Sequence, residues 1–81
     1  MFYVYVISSE LKKYIYVGIT NNIERRFVEH QKGYNKTTRV YRPFKLIHFE
    51  KLLSRIEARR REKYLKSGVG KEWIKTILLK N

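Results

Sequence analysis

Two runs of β-branched and aromatic residues, Phe2–Ile7 and Tyr14–Val17, flank a polar stretch of six residues, Ser8 to Lys13. This spacing constrains the fold more than any other feature, because strands so close in sequence pair most readily as an antiparallel hairpin. Side chains alternate across a strand, so Tyr3, Tyr5, Tyr14, Tyr16 and Gly18 share one face of that hairpin. Phe2, Val4, Val6, Ile15 and Val17 take the other. A turn centred on residues 10 and 11 sets Tyr5 opposite Tyr16. One face is then aliphatic and the other phenolic.

The next segment, "TNNIERRFVEHQKG", carries helix signals at both ends. Asn21 is placed to cap the helix, with Glu24 three residues on as the returning partner, and Gly33 supplies the stop. At helical spacing Ile23, Phe27 and His30 form the inward stripe, with Arg26 beside it and Arg25 pointing away. Residues 34–43 read as a basic loop and Phe44 to Phe49 as a third strand. Ser54 caps a second helix running to about Lys66, on which Ala58 and Leu65 lie together with Glu62 at the edge of their stripe. Ser67 to Gly70 breaks it. A last helix, near Lys71 to Leu79, presents Trp73, Ile74, Ile77 and Leu78 on its apolar side. The expected class is α+β, a small three-stranded antiparallel sheet flanked by about three helices, with residues 1–81 forming a single domain.

Charge narrows the function. Nineteen Lys and Arg stand against seven Asp and Glu, a net +12 on 81 residues, so the chain attracts polyanions. Nucleic acid is the expected partner. A membrane surface is not, because the aromatics fall in strands rather than along one face of a basic helix. The chain has no cysteine, so neither a disulfide nor a thiolate metal site supports it, in keeping with a cytoplasmic, nucleoid-associated location. No apolar run approaches a membrane span, and Phe2–Ile7 is too short for a signal-peptide core, so the chain is expected to be soluble and mature from its first residue.

Three groups could carry chemistry. Tyr5 and Tyr16 are ordinary strand residues whose rings pack well, but a phenol with cations nearby can also exchange a proton with substrate. Arg26 is suited to lower such a pKa. Arg26 and His30 share a helix face at i, i+4, where they could be a surface arginine and a core-edge histidine, or a phosphate brace with a proton relay. Glu62 could be a solvated carboxylate paired with Lys66 or Arg59, or a hard-metal ligand. Two other features carry little. "GVGKE" at 68–72 lacks the first glycine of a phosphate loop, and His48 has no second ligand at zinc spacing.

Taken together, Tyr3-Val4-Tyr5, Tyr16-Val17-Gly18, Arg26, His30 and the run "EARRREKYLK" at 57–66 resemble the GIY-YIG nuclease superfamily, chiefly its small bacterial members. The resemblance extends over essentially the whole chain. Tyr5 and Tyr16 match the tyrosines of its two signature tripeptides, Arg26 its catalytic arginine and Glu62 its metal-binding glutamate. Departures are Tyr3-Val4 for Gly-Ile, Val17 for Ile, and Ile74 where some members carry an asparagine.

The resemblance implies hydrolysis of DNA phosphodiester bonds with Mg²⁺ or Mn²⁺, selective for DNA structure, branched or damaged, rather than sequence. Within it Tyr5 is the preferred general base, Tyr16 its support, Arg26 the stabiliser of the transition state and His30 the proton relay. Glu62 would hold the metal. Lys36, Arg39, Arg42, Arg59, Arg60 and Arg61 would contact neighbouring phosphates without reading bases. A protein partner would supply target selection. The rival readings are a non-catalytic nucleic-acid-binding module that retains the fold, and an RNA-binding accessory protein.

Overall fold

The computed structural model describes residues 1–79. Strands β1 (Phe2–Ser9) and β2 (Ile15–Thr20) are followed by helix α1 (Ile23–Lys32), a 3-10 turn at Arg39–Tyr41 and strand β3 (Phe44–Leu52). Helices α2 (Arg55–Lys66) and α3 (Gly68–Trp73) come next, and α3 runs into a π-helical turn at Ile74–Leu78. The sheet is antiparallel throughout, in the order β2-β1-β3. The three-stranded sheet with three helices is as the sequence implies.

β1 is central, and Val4 to Ile7 are buried without a break because both faces are covered. On one face Val4, Val6 and Val17 pack with Ala58, Leu65 and Ile74 from α2 and the C-terminal turn. On the other, Tyr5, Ile7 and Phe44 pack with Tyr14, Tyr16 and Phe27. Alternation along the strands therefore produces an aliphatic face and an aromatic one.

The hairpin register differs from the expectation by two residues. Tyr5 lies opposite Gly18, and Tyr16 lies opposite Ile7. The cause is Ser9, whose hydroxyl accepts from the amides of Leu11 and Lys12 and whose own amide bonds to the Tyr14 carbonyl. This centres the turn one residue later, between residues 11 and 12, which shifts the pairing by two. A shift of two preserves the side-chain period, so the faces survive. β3 is longer than expected, ending at Leu52, and a bulge between the partners of Val6 and Ile7 leaves Ile47 without a direct partner.

Helix ends differ slightly too. Asn22 caps α1 by accepting from the Arg25 amide, so Glu24 does not sit at the position a capping box needs. Gly33, at φ 80°, closes the helix. Ser54 caps α2 as expected. Ser67 both ends α2 and caps α3, so helix resumes at Gly68 rather than after Gly70. Gly70 is required there, because a Cβ would lie 2.1 Å from the Tyr64 carbonyl oxygen and 2.5 Å from Leu65 Cα. The π turn widens the helix, so Leu78 still packs inward while Ile77 is 60% exposed, contrary to the expected stripe.

Candidate active site

The site is built where the aromatic face of β1 and β2 meets α1. Two positions on the strands decide its shape. Tyr5 is 2% exposed, and Gly18 directly opposite gives its ring space. A Cβ at Gly18 would lie 2.6 Å from the Tyr5 hydroxyl oxygen and 2.9 Å from Cε2 of Tyr16. The glycine of the second tripeptide is thus a packing requirement of both tyrosines. Their ring centroids stand 6.2 Å apart.

His30 enters from the last turn of α1 and is fully buried. Its Nε2 lies 2.9 Å from the Tyr5 hydroxyl and its Nδ1 3.2 Å from Oγ1 of Thr38, itself fully buried in the basic loop. The ring also lies 5.0 Å from Tyr16 and edge-on to Phe44 at 5.8 Å. Burial, helped by the positive charge of Arg26, lowers the His30 pKa to about 4. A neutral imidazole has one donor and one acceptor nitrogen, and Tyr5 and Thr38 satisfy both. A continuous hydrogen-bonded path, Tyr5–His30–Thr38, results.

Arg26 is half-buried, and its Nη1 donates to Glu29 Oε1 at 2.9 Å. Burial works against its charge, but Glu29, Tyr5 and Tyr16 outweigh that and leave its pKa above the ordinary value. The side chain also lines a recess of about 360 Å³ with Arg25, Arg55 and Asn21, a basic hollow large enough for a phosphate group.

Glu62 arrives from α2 and is 7% exposed. Its carboxylate pairs with Lys66 at 3.1 Å and Arg59 at 3.3 Å, the two partners that helical spacing offers. Its charge nevertheless acts on Tyr5, as do those of Arg26 and Tyr16. Tyr5 is thus where the electrostatics of the expected site residues meet. The outcome reverses the expectation for a free base. Burial is the largest influence, Tyr16 and Glu62 add to it, and Arg26 does not compensate, so the Tyr5 pKa is pushed up to about 12. The Tyr5 phenol is protonated at neutral pH.

The remaining cations divide into two groups. Lys36, Arg39 and Arg42 on the loop, with Arg59 and Arg60 on α2, are exposed. The Arg42 guanidinium lies across Gly33 at the α1 C-terminus, where the helix dipole favours a cation. Arg61 is engaged within the fold. Its Nε donates to both oxygens of Glu50 at 2.8 and 3.1 Å, and its guanidinium sits 4.9 Å over the Tyr64 ring. Glu50 also bonds His48 at 2.8 Å. Burial alone would raise the Glu50 pKa, but Arg61 and His48 hold it below the ordinary value. Ile74, at the position of the family's asparagine, is fully buried in the aliphatic core.

Sequence reasoning missed Thr38, Glu29 and Arg55. A threonine in a basic loop carries no local mark of a buried histidine partner eight residues earlier. Glu29 was legible in principle, because it lies three residues after Arg26 on the same helix.

A model of the GIY-YIG catalytic domain matches residues 1–75 of the chain. A UPF0213 protein of Natronomonas pharaonis is 42% identical over 80% of this chain and 76% of its own length. One from Clostridium perfringens is 35% identical, covering 100% of this chain and 87% of the relative. The solution NMR structure of a UPF0213 protein from Bacillus halodurans superposes with a TM-score of 0.56 at 32% identity, over 95% of this chain and 85% of that one.

Proposed function

The chain belongs to the GIY-YIG catalytic domain family, and from that premise we propose that it is a metal-dependent endonuclease hydrolysing DNA phosphodiester bonds. In this reading the 81 residues act as one domain on intracellular DNA, selecting branched or damaged structure, with a protein partner refining the target. The observation that carries the reading is the Tyr5 hydroxyl, buried beside Tyr16 and bonded to a neutral His30 on the helix that also carries Arg26.

The Tyr5–His30 bond suits proton relay better than a free phenolate. The Tyr5 oxygen takes a proton from the attacking water as its own proton passes to His30 Nε2, and the short-lived imidazolium returns that proton through Tyr5 to the leaving 3′ oxygen as its bond to phosphorus breaks. The new P–O bond forms in line as the bond to the leaving 3′ oxygen breaks. Arg26 braces the equatorial oxygens where negative charge builds. Tyr16, half-buried beside Tyr5, orients the phosphate. Lys36, Arg39, Arg42, Arg59 and Arg60 hold the flanking backbone, and Arg61 supports them indirectly through Glu50.

Among the described residues no three His, Cys, Asp or Glu side chains lie together as a metal cage. The donor set fits Mg²⁺ or Mn²⁺ nonetheless, since such ions accept one carboxylate and complete their shell with water and phosphate oxygens. Glu62 would hold the ion, which when bound supplies Lewis-acid stabilisation of the phosphate. Lys66 and Arg59 compete with a cation for that carboxylate.

That competition favours a second reading, a binding module that keeps the fold without cutting. Incubating branched and duplex DNA with Mg²⁺ or Mn²⁺ separates the two. Arg26→Ala and Glu62→Gln should each slow cleavage on the order of 10²-fold or more. Undiminished cutting by both variants would overturn the site, and a salt-sensitive mobility shift without cutting by the wild type would establish the binding module.

A further inference from the structure

β2 is an outer strand of the sheet, and a groove of about 1000 Å³ runs along it towards the C-terminal helices. Five lysines line it: Lys12 and Lys13 from the hairpin turn, Lys66 from the end of α2, and Lys71 and Lys75 from α3 and the π turn. No acidic side chain is among the described residues that line it. Lys71 and Lys75 stand four residues apart, where like charges repel, so these two gain nothing from each other. Between the lysines the wall is apolar and aromatic, with Ile15, Tyr14 and Tyr16. Tyr14 is held rigidly, stacked on Tyr41 at 3.8 Å with the planes 4° apart.

We propose that this groove holds an unpaired strand of nucleic acid leading into the candidate active site, an inference that rests on the nucleic-acid reading above. Two residues join groove and site. Tyr16 belongs to the groove wall and to the aromatic cluster around Tyr5, and Lys66 binds Glu62 at 3.1 Å. Lysines around an aromatic wall suit single strands, whose phosphates need cations and whose exposed base faces stack on rings. A duplex hides those faces and would use only the cationic rim. An acidic peptide would meet the lysines but carries no base faces to stack on Tyr14 and Tyr16.

The test is fluorescence anisotropy with three probes: a blunt duplex, the same duplex carrying an unpaired extension, and poly-glutamate. Wild type is compared with a Lys71→Gln/Lys75→Gln double variant and a charge-preserving Lys71→Arg/Lys75→Arg variant. Wild type should bind the extended duplex more tightly than the blunt one. The glutamine variant should lose that gain, roughly tenfold at 0.1 M salt, with the salt slope falling by about 0.7 per lysine. The arginine variant should retain it. Equal binding of both duplexes by wild type, or an unchanged slope in the glutamine variant, would overturn the groove while leaving the nuclease reading intact. Failure of wild type to bind any nucleic acid would overturn both. Poly-glutamate binding as tightly as the extended duplex, and lost in the glutamine variant, would assign the groove to a peptide and refute the proposal.

Discussion

The two faces of β1 solve burial in different ways. Towards α2 the strand offers Val4 and Val6 to Ala58, Leu65 and Ile74, a contact of hydrocarbon on hydrocarbon. Towards α1 it offers Tyr5, whose hydroxyl must find a partner once out of water. It finds His30, and His30 finds Thr38. Among the described residues no buried side-chain nitrogen or oxygen is left without a hydrogen bond. The aliphatic face tolerates imprecision because dispersion contacts are non-directional. The aromatic face does not, since each link fixes the next. One side of a single strand thus packs the aliphatic core while the other anchors a hydrogen-bonded chain from Tyr5 through His30 to Thr38.

Truncation on the dry face should give the largest effect on stability. Leu65→Ala removes a fully buried side chain and should cost about 2–5 kcal/mol in urea unfolding. The pH dependence of stability should not change, because Leu65 packs in the aliphatic cluster of Val4, Val6, Val17, Ala58 and Ile74. A shifted pH dependence would show that the faces are coupled.

The aromatic face should reveal itself through pH. The His30 pKa falls from 6.5 in the unfolded chain to about 4 in the fold. Between those values the unfolded state binds the extra proton. Stability from a neutral His30 is therefore complete above pH 6.5 and lost as pH falls to 4, by about 3 kcal/mol. Glu50, also held below its ordinary pKa, adds a loss of the same sign on acidification. Comparing wild type with His30→Gln at pH 7 and pH 4 cancels the Glu50 contribution. An equal loss in both proteins would contradict the assignment.

Thr38→Val should have the smallest effect, about 1–3 kcal/mol, because it leaves Nδ1 of a buried ring unpaired while preserving shape. If cleavage is observed, its pH profile should shift in this variant, which a purely packing role for Thr38 would not produce.

What was legible in the sequence follows the same division. Alternation placed each strand residue on its face, and that survived the two-residue error in register because the period is two. The helix stripe put His30 inward with Arg26 beside it, as found, but Arg25, expected to point away, shares a recess with Arg26. The turn was misread because Ser9 acts through its hydroxyl on amides two and three residues ahead, a choice that strand propensity does not encode. The Tyr5 pKa was misjudged for another reason. The excess of lysine and arginine is visible in composition, but most of it sits in solvent, while burial of one phenol depends on the packed fold. Thr38 was out of reach because its role exists only once the loop folds back over α1.

The most direct measurement is an NMR titration of the His30 ring nitrogens in the intact protein. His30 should be a neutral imidazole at pH 7, one nitrogen protonated and the other not, with ionisation deferred to near pH 4. A ring that gains its second proton near pH 6.5, as a solvated histidine does, would contradict a buried His30 bonded between Tyr5 and Thr38.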